Sequence, residues 1–314
     1  MNTMNELFVR HEGNPILTAA DWPYRVSAVL NPSAAKCNGE TVLLVRTKDR
    51  RGLSHLSLAK SKDGLENWEI SPEPAITASS DYYEGKRGLE DPRVVWVEEE
   101  EIQKYIIAYV SFRTEYPDAP CGISLISTKD FSNFERISKP LDPENKNASL
   151  FPKKINDLFA LIHRPVVENR AYIAVSFSPD LIFWGQERPI LSTRKGWWDS
   201  EKVGLACPPI ETKKGWLIIY HGSSGKADKL IYRVGLALLD VETLKVIKRS
   251  EEWVLGPEKD YEGGEDGIVF PCGSTIDEET KELRIYYGTN DSQIGTAISN
   301  LAEILDYLME CPDH

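Results

Sequence analysis

The sequence predicts an all-β protein, a five-bladed β-propeller with a short C-terminal helix. Three observations predict it. Five apolar runs rich in β-branched and aromatic residues recur along the chain. Each is flanked by a second and a third run across turn residues. The spacing, roughly 50 to 67 residues, matches one four-stranded blade with its loops. The central runs are Val42–Arg46, Tyr105–Tyr109, Leu158–Ile162, Trp216–Tyr220 and Leu283–Tyr287. All read as buried strands. The turns before them are Cys37-Asn38-Gly39, Glu98–Glu101, Ile155-Asn156-Asp157, Lys213-Lys214-Gly215 and Asp277–Lys281. In three copies the third run ends in Ser/Thr-x-Asp and then an aromatic: Ser61, Asp63 and Trp68; Thr128, Asp130 and Phe134; Ser178, Asp180 and Trp184. This is a polar hairpin corner followed by a ring that returns to the sheet. Gly235–Val241 and Gly295–Leu301 take the same place in the last two copies without the aromatic. The blades are expected at 26–70, 89–137, 145–187, 202–248 and 264–308, forming one domain over 1–314. A two-sheet sandwich leaves the five copies unexplained. Only Asn300–Met309 has a helical pattern.

The chain has 314 residues, 37 Lys+Arg and 49 Asp+Glu, for a formal charge of −12. That balance argues against nucleic acid or an anionic membrane as partner. No apolar run reaches the ~18 residues of a membrane helix, and the N-terminus lacks a signal-peptide apolar stretch. A cytoplasmic protein is therefore expected. The five cysteines (37, 121, 207, 272 and 311) form no C-x-x-C pair, so free thiols are expected. The 8 Trp and 13 Tyr suit sugar stacking and a β core alike.

In a propeller the innermost strands line a central channel, and the residues at their starts share one mouth. Those starts are Leu30-Asn31-Pro32, Glu90-Asp91-Pro92-Arg93, Asn145–Ser149, Lys202-Val203-Gly204 and Glu265-Asp266-Gly267. Later strand ends add Arg46, His163-Arg164, His221 and Asp291. The mouth thus collects Asp91, Asp266 and Asp291 with Arg46, Arg93, Lys146, Arg164, Lys202 and His221, a basic cluster on an acidic chain. These residues fit three readings: solvated loop groups, a glycosidase with two working carboxylates, or a phosphorylase with one carboxylic acid and cations that hold phosphate. The cations favour the last, because Arg forks onto phosphate oxygens and Lys adds a compact charge. Asp91 is the candidate general acid, although Asp-Pro also forms turns. Burial raises its pKa and a neighbouring Arg lowers it. His221 reads as a phosphate or hydroxyl contact and His163 as structural. No P-loop, dinucleotide fingerprint or zinc signature is present.

These phrases resemble those of glycoside hydrolase family 130, the β-mannoside phosphorylases. The resemblance is carried by Asn31-Pro32, Gly88–Arg93, Asn145–Pro152, His163-Arg164-Pro165, Ser178–Leu181, Trp198-Asp199-Ser200, Lys202-Val203-Gly204, Gly215-Trp216, Tyr220-His221-Gly222, Phe270-Pro271-Cys272 and Tyr286-Tyr287-Gly288. They occur in the family's order across nearly the whole chain. The resemblance implies a five-bladed propeller and an inverting phosphorolysis that yields α-mannose 1-phosphate. It implies Asp91 as the acid, with its proton passing through the mannosyl 3-hydroxyl. It implies phosphate binding by Lys146, Arg164, Lys202 and His221, with Tyr232 nearby. Asn31, Arg46, Asn147 and Asp291 match positions near the mannose, and Arg93 joins this substrate-binding set. No metal or organic cofactor is implied; inorganic phosphate is the co-substrate.

Lys146 stands where related phosphorylases often have Arg, which keeps charge but loses the fork. Some family members are hydrolases that lack the basic set and activate water with an acidic residue. Glu201 and Asp266 keep that alternative open, while the retained Arg164, Lys202 and His221 favour phosphorolysis. A non-catalytic sugar-binding propeller is the third alternative. The Gly-Leu-Glu-Asp-Pro-Arg phrase is similar to the branch acting on β-1,2-mannobiose, β-1,2-oligomannosides or β-1,4-mannosyl-N-acetylglucosamine, more than to the branch acting on β-1,4-mannosylglucose. Acceptor selection is expected in 79–87, 113–121, 193–200 and 223–230. Family members often assemble, so a homo-oligomer is a further expectation.

Overall fold

A computed structural model describes residues 7–313 except 83, 86, 101, 113–120, 139–143, 168–169, 227–228 and 291. Among the described residues, five antiparallel sheets form the blades of a ring. Blade one comprises Ala28–Cys37, Glu40–Lys48, Ser54–Ser61 and Glu69–Ile70. Blade two comprises Glu90–Glu99, Ile102–Phe112, Cys121–Thr128 and Glu135–Ser138. Blade three comprises Asn145–Leu150, Phe159–Val167, Ile173–Ser178 and Gly185–Leu191. Blade four comprises Lys202–Leu205, Gly215–Lys226, Lys229–Leu239 and Val246–Arg249. Its inner edge breaks at Cys207-Pro208-Pro209, where two prolines lack the N–H a ladder needs, and resumes at Ile210–Thr212.

Blade five departs from the expected 264–308 copy. The stretch up to Asp266 forms 3₁₀ turns, and the inner strand starts at Val269. Glu282–Thr289 and Gln293–Asn300 follow. The chain then enters an α-helix, Leu301–Glu310, whose N-cap Asn300 accepts the Ala302 N–H at 2.9 Å. The missing outer strand is Val9–Arg10, paired with Ile298 and Ala297. The N-terminus thereby closes the ring.

The strands alternate, and each alternate set feeds a different blade interface. Trp216, Ile218 and Tyr220 pack toward blade three, whereas Leu217 and Ile219 pack toward blade five. Five apolar clusters result, one at each junction between neighbouring blades. No blade covers its own faces, which is why the ring must close. The hairpin corners work as capped turns. Asp63 Oδ1 accepts the N–H groups of Leu65 and Glu66 at 2.8 and 2.9 Å, and Asp180 Oδ1 those of Ile182 and Phe183 at 2.9 and 3.0 Å. The Trp68 and Trp184 indoles donate to the Leu65 and Leu181 carbonyls. All five cysteines are buried free thiols.

A second recurring device holds the segments that lead into blades two, four and five. Each carries one fully buried carboxylate, which takes a Tyr hydroxyl from that blade's second strand and an Arg from its outer strand. Glu84 binds Tyr109 Oη at 2.6 Å and Arg136 Nη2 at 2.8 Å. Asp199 binds Tyr220 Oη at 3.0 Å and Arg249 Nη2 at 2.7 Å. Glu262 binds Tyr287 Oη at 3.0 Å and Arg10 Nε at 2.9 Å. Buried charges paired this way lock the approach to the channel.

Candidate active site

The inner strands of blades one, two and three share one irregularity. Each gains a residue relative to its neighbour: between Leu30 and Ser33, Glu90 and Arg93, and Lys146 and Ser149. The bulge holds Asn31 at φ 48°, Asp91 at φ 50° and Asn147 at φ 52°. Asn and Asp tolerate this left-handed region better than other non-glycine residues. Proline after Asn31 and Asp91 disfavours it further, so the bulges hold strain of about 1–3 kcal/mol each. Their effect is to turn three short polar side chains out of the pleat at equivalent points of three blades.

Blades one and two build a carboxyl centre. Asp91 Oδ1 accepts Asn31 Nδ2 at 2.8 Å and Arg46 Nη1 at 2.9 Å. Arg46 donates its other Nη to Glu90 Oε1 and its Nε to Ser54 Oγ at 3.0 Å. Asp91 Oδ2 makes no hydrogen bond among the described residues and is left for a ligand. Burial pushes the Asp91 carboxyl up, but Arg46, the Asn31 hydrogen bond and Arg93 outweigh it and hold the pKa below the ordinary value. Glu90 goes the other way: burial and then the Asp91 charge raise it against Arg46 and Lys146. Gly288 is required here, because a Cβ would lie 2.0 Å from Asn31 Oδ1.

Blades three and four build a cationic pocket. Lys146 lies directly across the ladder from Arg164, and Lys202 across from Ser223, which in turn faces Tyr232. Like charges on facing positions repel. Burial lowers the Lys202 pKa, with Arg164 and Lys146 adding to it. Among the described residues, Lys146, Arg164 and Lys202 form no ion pair. His221 is fully buried, and its pKa falls well below the ordinary value through burial, then Arg164, Arg93 and Lys202. Its ring packs on Phe270 at 4.5 Å and Tyr232 at 5.9 Å. A Cβ on Gly204 would meet His221 Nε2 at 2.6 Å and Asn147 Oδ1 at 3.1 Å, so that glycine lets them approach. Both His221 nitrogens, Asn147 Oδ1, Arg164 Nε and Ser223 Oγ are buried without a hydrogen-bond partner among the described residues. Each such atom costs about 1–3 kcal/mol, so their concentration marks a pocket shaped for a polar ligand.

The expected site residues divide accordingly. Asn31, Arg46 and Asp91 meet in the first centre; Lys146, Asn147, Arg164, Lys202, His221 and Tyr232 meet in the second. Asp291 lies outside the described residues. Arg93 is a correction. It is 1% exposed and spends its guanidinium on the carbonyls of Ala206, Leu205 and Asp91 at 2.7, 2.7 and 3.0 Å. It ties blade two to blade four across the channel. Asp266 is a second correction: it sits in a 3₁₀ turn, more than half exposed and paired with Lys229, not at the start of an inner strand. Glu201 is exposed beside Lys202. His163 is satisfied by Asn145 Oδ1 at 3.1 Å and Ser176 Oγ at 2.9 Å, and burial pushes its pKa down to about 4. Two residues escaped the sequence reading. Ser223 was legible only as the residue two beyond His221, hence on its face of the strand. Glu90 was legible only as the neighbour of Asp91.

Comparison with known proteins places this geometry. The 1,2-beta-oligomannan phosphorylase of Thermoanaerobacter sp. (strain X514) is 36% identical over 92% of this chain and 95% of that protein. The beta-1,4-mannooligosaccharide phosphorylase of Ruminococcus albus is 30% identical over 95% of this chain and 90% of that protein. The solved beta-1,2-mannobiose phosphorylase from Listeria innocua, in complex with beta-1,2-mannobiose, superposes with a TM-score of 0.85 at 28% identity. It covers 98% of this chain and 99% of that chain. A family model described as beta-1,4-mannooligosaccharide phosphorylase matches residues 9–310, a span that runs from the ring-closing strand to the end of the helix. The bulged strands, the carboxyl centre and the cationic pocket are thus those of a chain that belongs to glycoside hydrolase family 130.

Proposed function

We propose that the protein is an inverting β-mannoside phosphorylase, a glycosyl-transferring enzyme that cleaves β-1,2-linked manno-oligosaccharides with inorganic phosphate. The observation that carries this reading is the pocket of three cations that have no carboxylate partner among the described residues, set around buried His221, Asn147 and Ser223 atoms that lack a hydrogen bond there. An oxyanion accepts from the three cations, from Ser223 Oγ and from the one N–H of neutral His221, while the Asn147 carbonyl accepts from a sugar hydroxyl. A hydrolase needs a carboxylate at this place to activate water. The two candidates for it, Glu201 and Asp266, are exposed.

In this mechanism phosphate is held by Lys146, Arg164 and Lys202. His221 remains neutral at pH 7, so it contributes a hydrogen bond and not a charge. A phosphate oxygen attacks the mannosyl C1 from the face opposite the leaving sugar. The C1–O glycosidic bond breaks as the C1–O–P bond forms, inverting the β-linkage to the α-phosphate. The proton needed by the leaving oxygen starts on Asp91 and follows the family route through the mannosyl 3-hydroxyl. Asn31 and Arg46 fix Asp91 Oδ1, which aims Oδ2 at the sugar. The cations stabilise the phosphate as charge moves through the transition state.

The β-1,2 linkage follows from the greater similarity to the β-1,2-oligomannan enzyme. The test incubates the protein with β-1,2-mannobiose, a β-1,2-oligomannoside and a β-1,4-mannobiose, with and without phosphate. Mannose 1-phosphate released from the β-1,2 substrates only in phosphate supports the reading. Faster release from the β-1,4 substrate overturns the linkage, and free mannose without phosphate overturns phosphorolysis.

A further inference from the structure

Two neighbouring carboxyls, Glu90 and Asp91, share one guanidinium. Arg46 reaches Asp91 Oδ1 at 2.9 Å with one Nη and Glu90 Oε1 with the other. The bulge makes this possible, since Asp91 at φ 50° turns toward the channel on the heels of Glu90. The side chains of Arg46, Glu90 and Asp91 are 10, 11 and 13% exposed, so water screens the pair poorly. Two carboxyls on one shared guanidinium in such a place ionise in competition, the charge of one disfavouring the charge of the other, even with Lys146, Arg87 and Arg93 in reach.

We propose that Glu90 is a positioning residue for Asp91: the two carboxyls, bridged by Arg46, hold a single proton, and the Glu90 charge keeps Asp91 able to carry it at neutral pH. The proposal deepens the phosphorylase reading and rests on the acid role of Asp91. It resolves a conflict within the site. Arg46, Asn31 and Arg93 all favour the Asp91 anion, which is no acid. A proton resident on Glu90 is consistent with the opposite directions in which the two groups are pushed. When a sugar hydroxyl approaches Asp91 Oδ2, the proton moves to Asp91 and Glu90 takes up the negative charge against Arg46. No net charge enters or leaves the centre. Among the described residues, the other charged groups facing the pair are Arg87 and Lys146 on the Glu90 side, and Arg93 and Arg164 on the Asp91 side, where the Cys272 thiol also lies.

The test is the pH profile of phosphorolysis for wild type and Glu90→Gln, with the phosphate KM measured alongside. Wild-type turnover is the control: if it shows no phosphate-dependent product, the failure belongs to the phosphorylase reading and not to this proposal. With a neutral neighbour, no carboxylate charge at position 90 opposes the ionisation of Asp91 beside Arg46, and Asp91 loses its proton earlier. The alkaline limb of kcat/KM therefore moves to lower pH by about one unit. Activity at pH 7.5 falls about tenfold and is recovered within about twofold by acidification, while the phosphate KM is unchanged. An alkaline limb that coincides with wild type, whatever the loss in rate, overturns the proposal. Infrared spectroscopy gives a second readout that does not depend on the folding of Glu90→Gln. Wild type at pH 7 shows a protonated-carboxyl band that disappears in Asp91→Asn, where Glu90 no longer competes with a second carboxylate for Arg46 and ionises. A wild-type spectrum without that band overturns the proposal equally.

Discussion

The two halves of the channel mouth are built on opposite plans. On the side of blades one and two, Arg46 satisfies Ser54, Glu90 and Asp91 at once, and Asn31 completes Asp91 Oδ1. On the side of blades three and four, Lys146 faces Arg164 across the ladder, Lys202 is near both, and the His221 nitrogens and Ser223 Oγ have no hydrogen-bond partner among the described residues. The first half fixes its acid through protein groups and leaves Asp91 Oδ2 and Asn31 Oδ1 for the sugar; the second leaves its cations uncompensated for an anion. Charge compensation explains the contrast. A general acid must be held in one place before substrate arrives, so its partners are protein groups. A binding pocket for a mobile anion must leave its cations uncompensated, and the fold carries that cost.

The comparison breaks at once if Asp91 is dispensable. Asp91→Asn is expected to lower turnover by at least about 10³-fold, with little change in melting temperature, since the amide keeps the Asn31 and Arg46 geometry. Steady-state assays and a thermal melt check both. The next largest effect separates the two halves by stability. Arg46→Met leaves two buried carboxyls unpaired and is expected to cost about 3–5 kcal/mol. Arg164→Met removes a repelling cation and raises the melting temperature of the unliganded protein by about 1–2 °C, yet raises the phosphate KM more than tenfold. Calorimetry on the two variants reads opposite signs if the contrast holds.

The two histidines sharpen it. His163, satisfied within blade three, is neutral in the fold with a pKa near 4, below its unfolded value of about 6.5. Its folded pKa is depressed, so the stability it permits is fully present above the unfolded pKa and is lost as pH falls toward 4. The slope over that window amounts to about 3 kcal/mol in all. Urea unfolding at pH 7 and pH 4.5 checks this: His163→Gln should show a shallower acid loss than wild type. The smallest effect expected is that of Ser223→Ala. It removes one hydroxyl from the phosphate pocket and raises the phosphate KM about threefold to tenfold with kcat little changed. A kcat effect without a KM effect would take Ser223 out of the pocket.

Much of this was legible in the sequence, for identifiable reasons. Strand alternation is local, so Trp216–Tyr220 and its four counterparts read as strands without tertiary information. Asn31-Pro32 and Asp91-Pro92 stood out because polar residues before proline at a strand start serve turns or bulges. The closing of blade five was not legible: Val9–Arg10 is two residues long, and its partners lie at the other end of the chain. The carboxylate ties were invisible for the same reason, since Arg10 and Glu262 are remote in sequence. Arg93 was read together with Asp91 because residues two apart on a regular strand share a face, whereas the bulge between Glu90 and Arg93 breaks that alternation. Here the bulge turns Asp91 into the mouth, and Arg93 reaches the carbonyls of blade four. Ser223 and Glu90 carry no motif of their own, and their roles depend on what the ladder and the bulge set beside them.

The most direct test of the account is the product of early turnover, read by NMR on β-1,2-mannobiose in inorganic phosphate. The account predicts α-mannose 1-phosphate and free mannose in equal amounts, and no turnover when phosphate is omitted. Two equivalents of mannose formed at a rate independent of phosphate, or the β-anomer of the sugar phosphate, would contradict it.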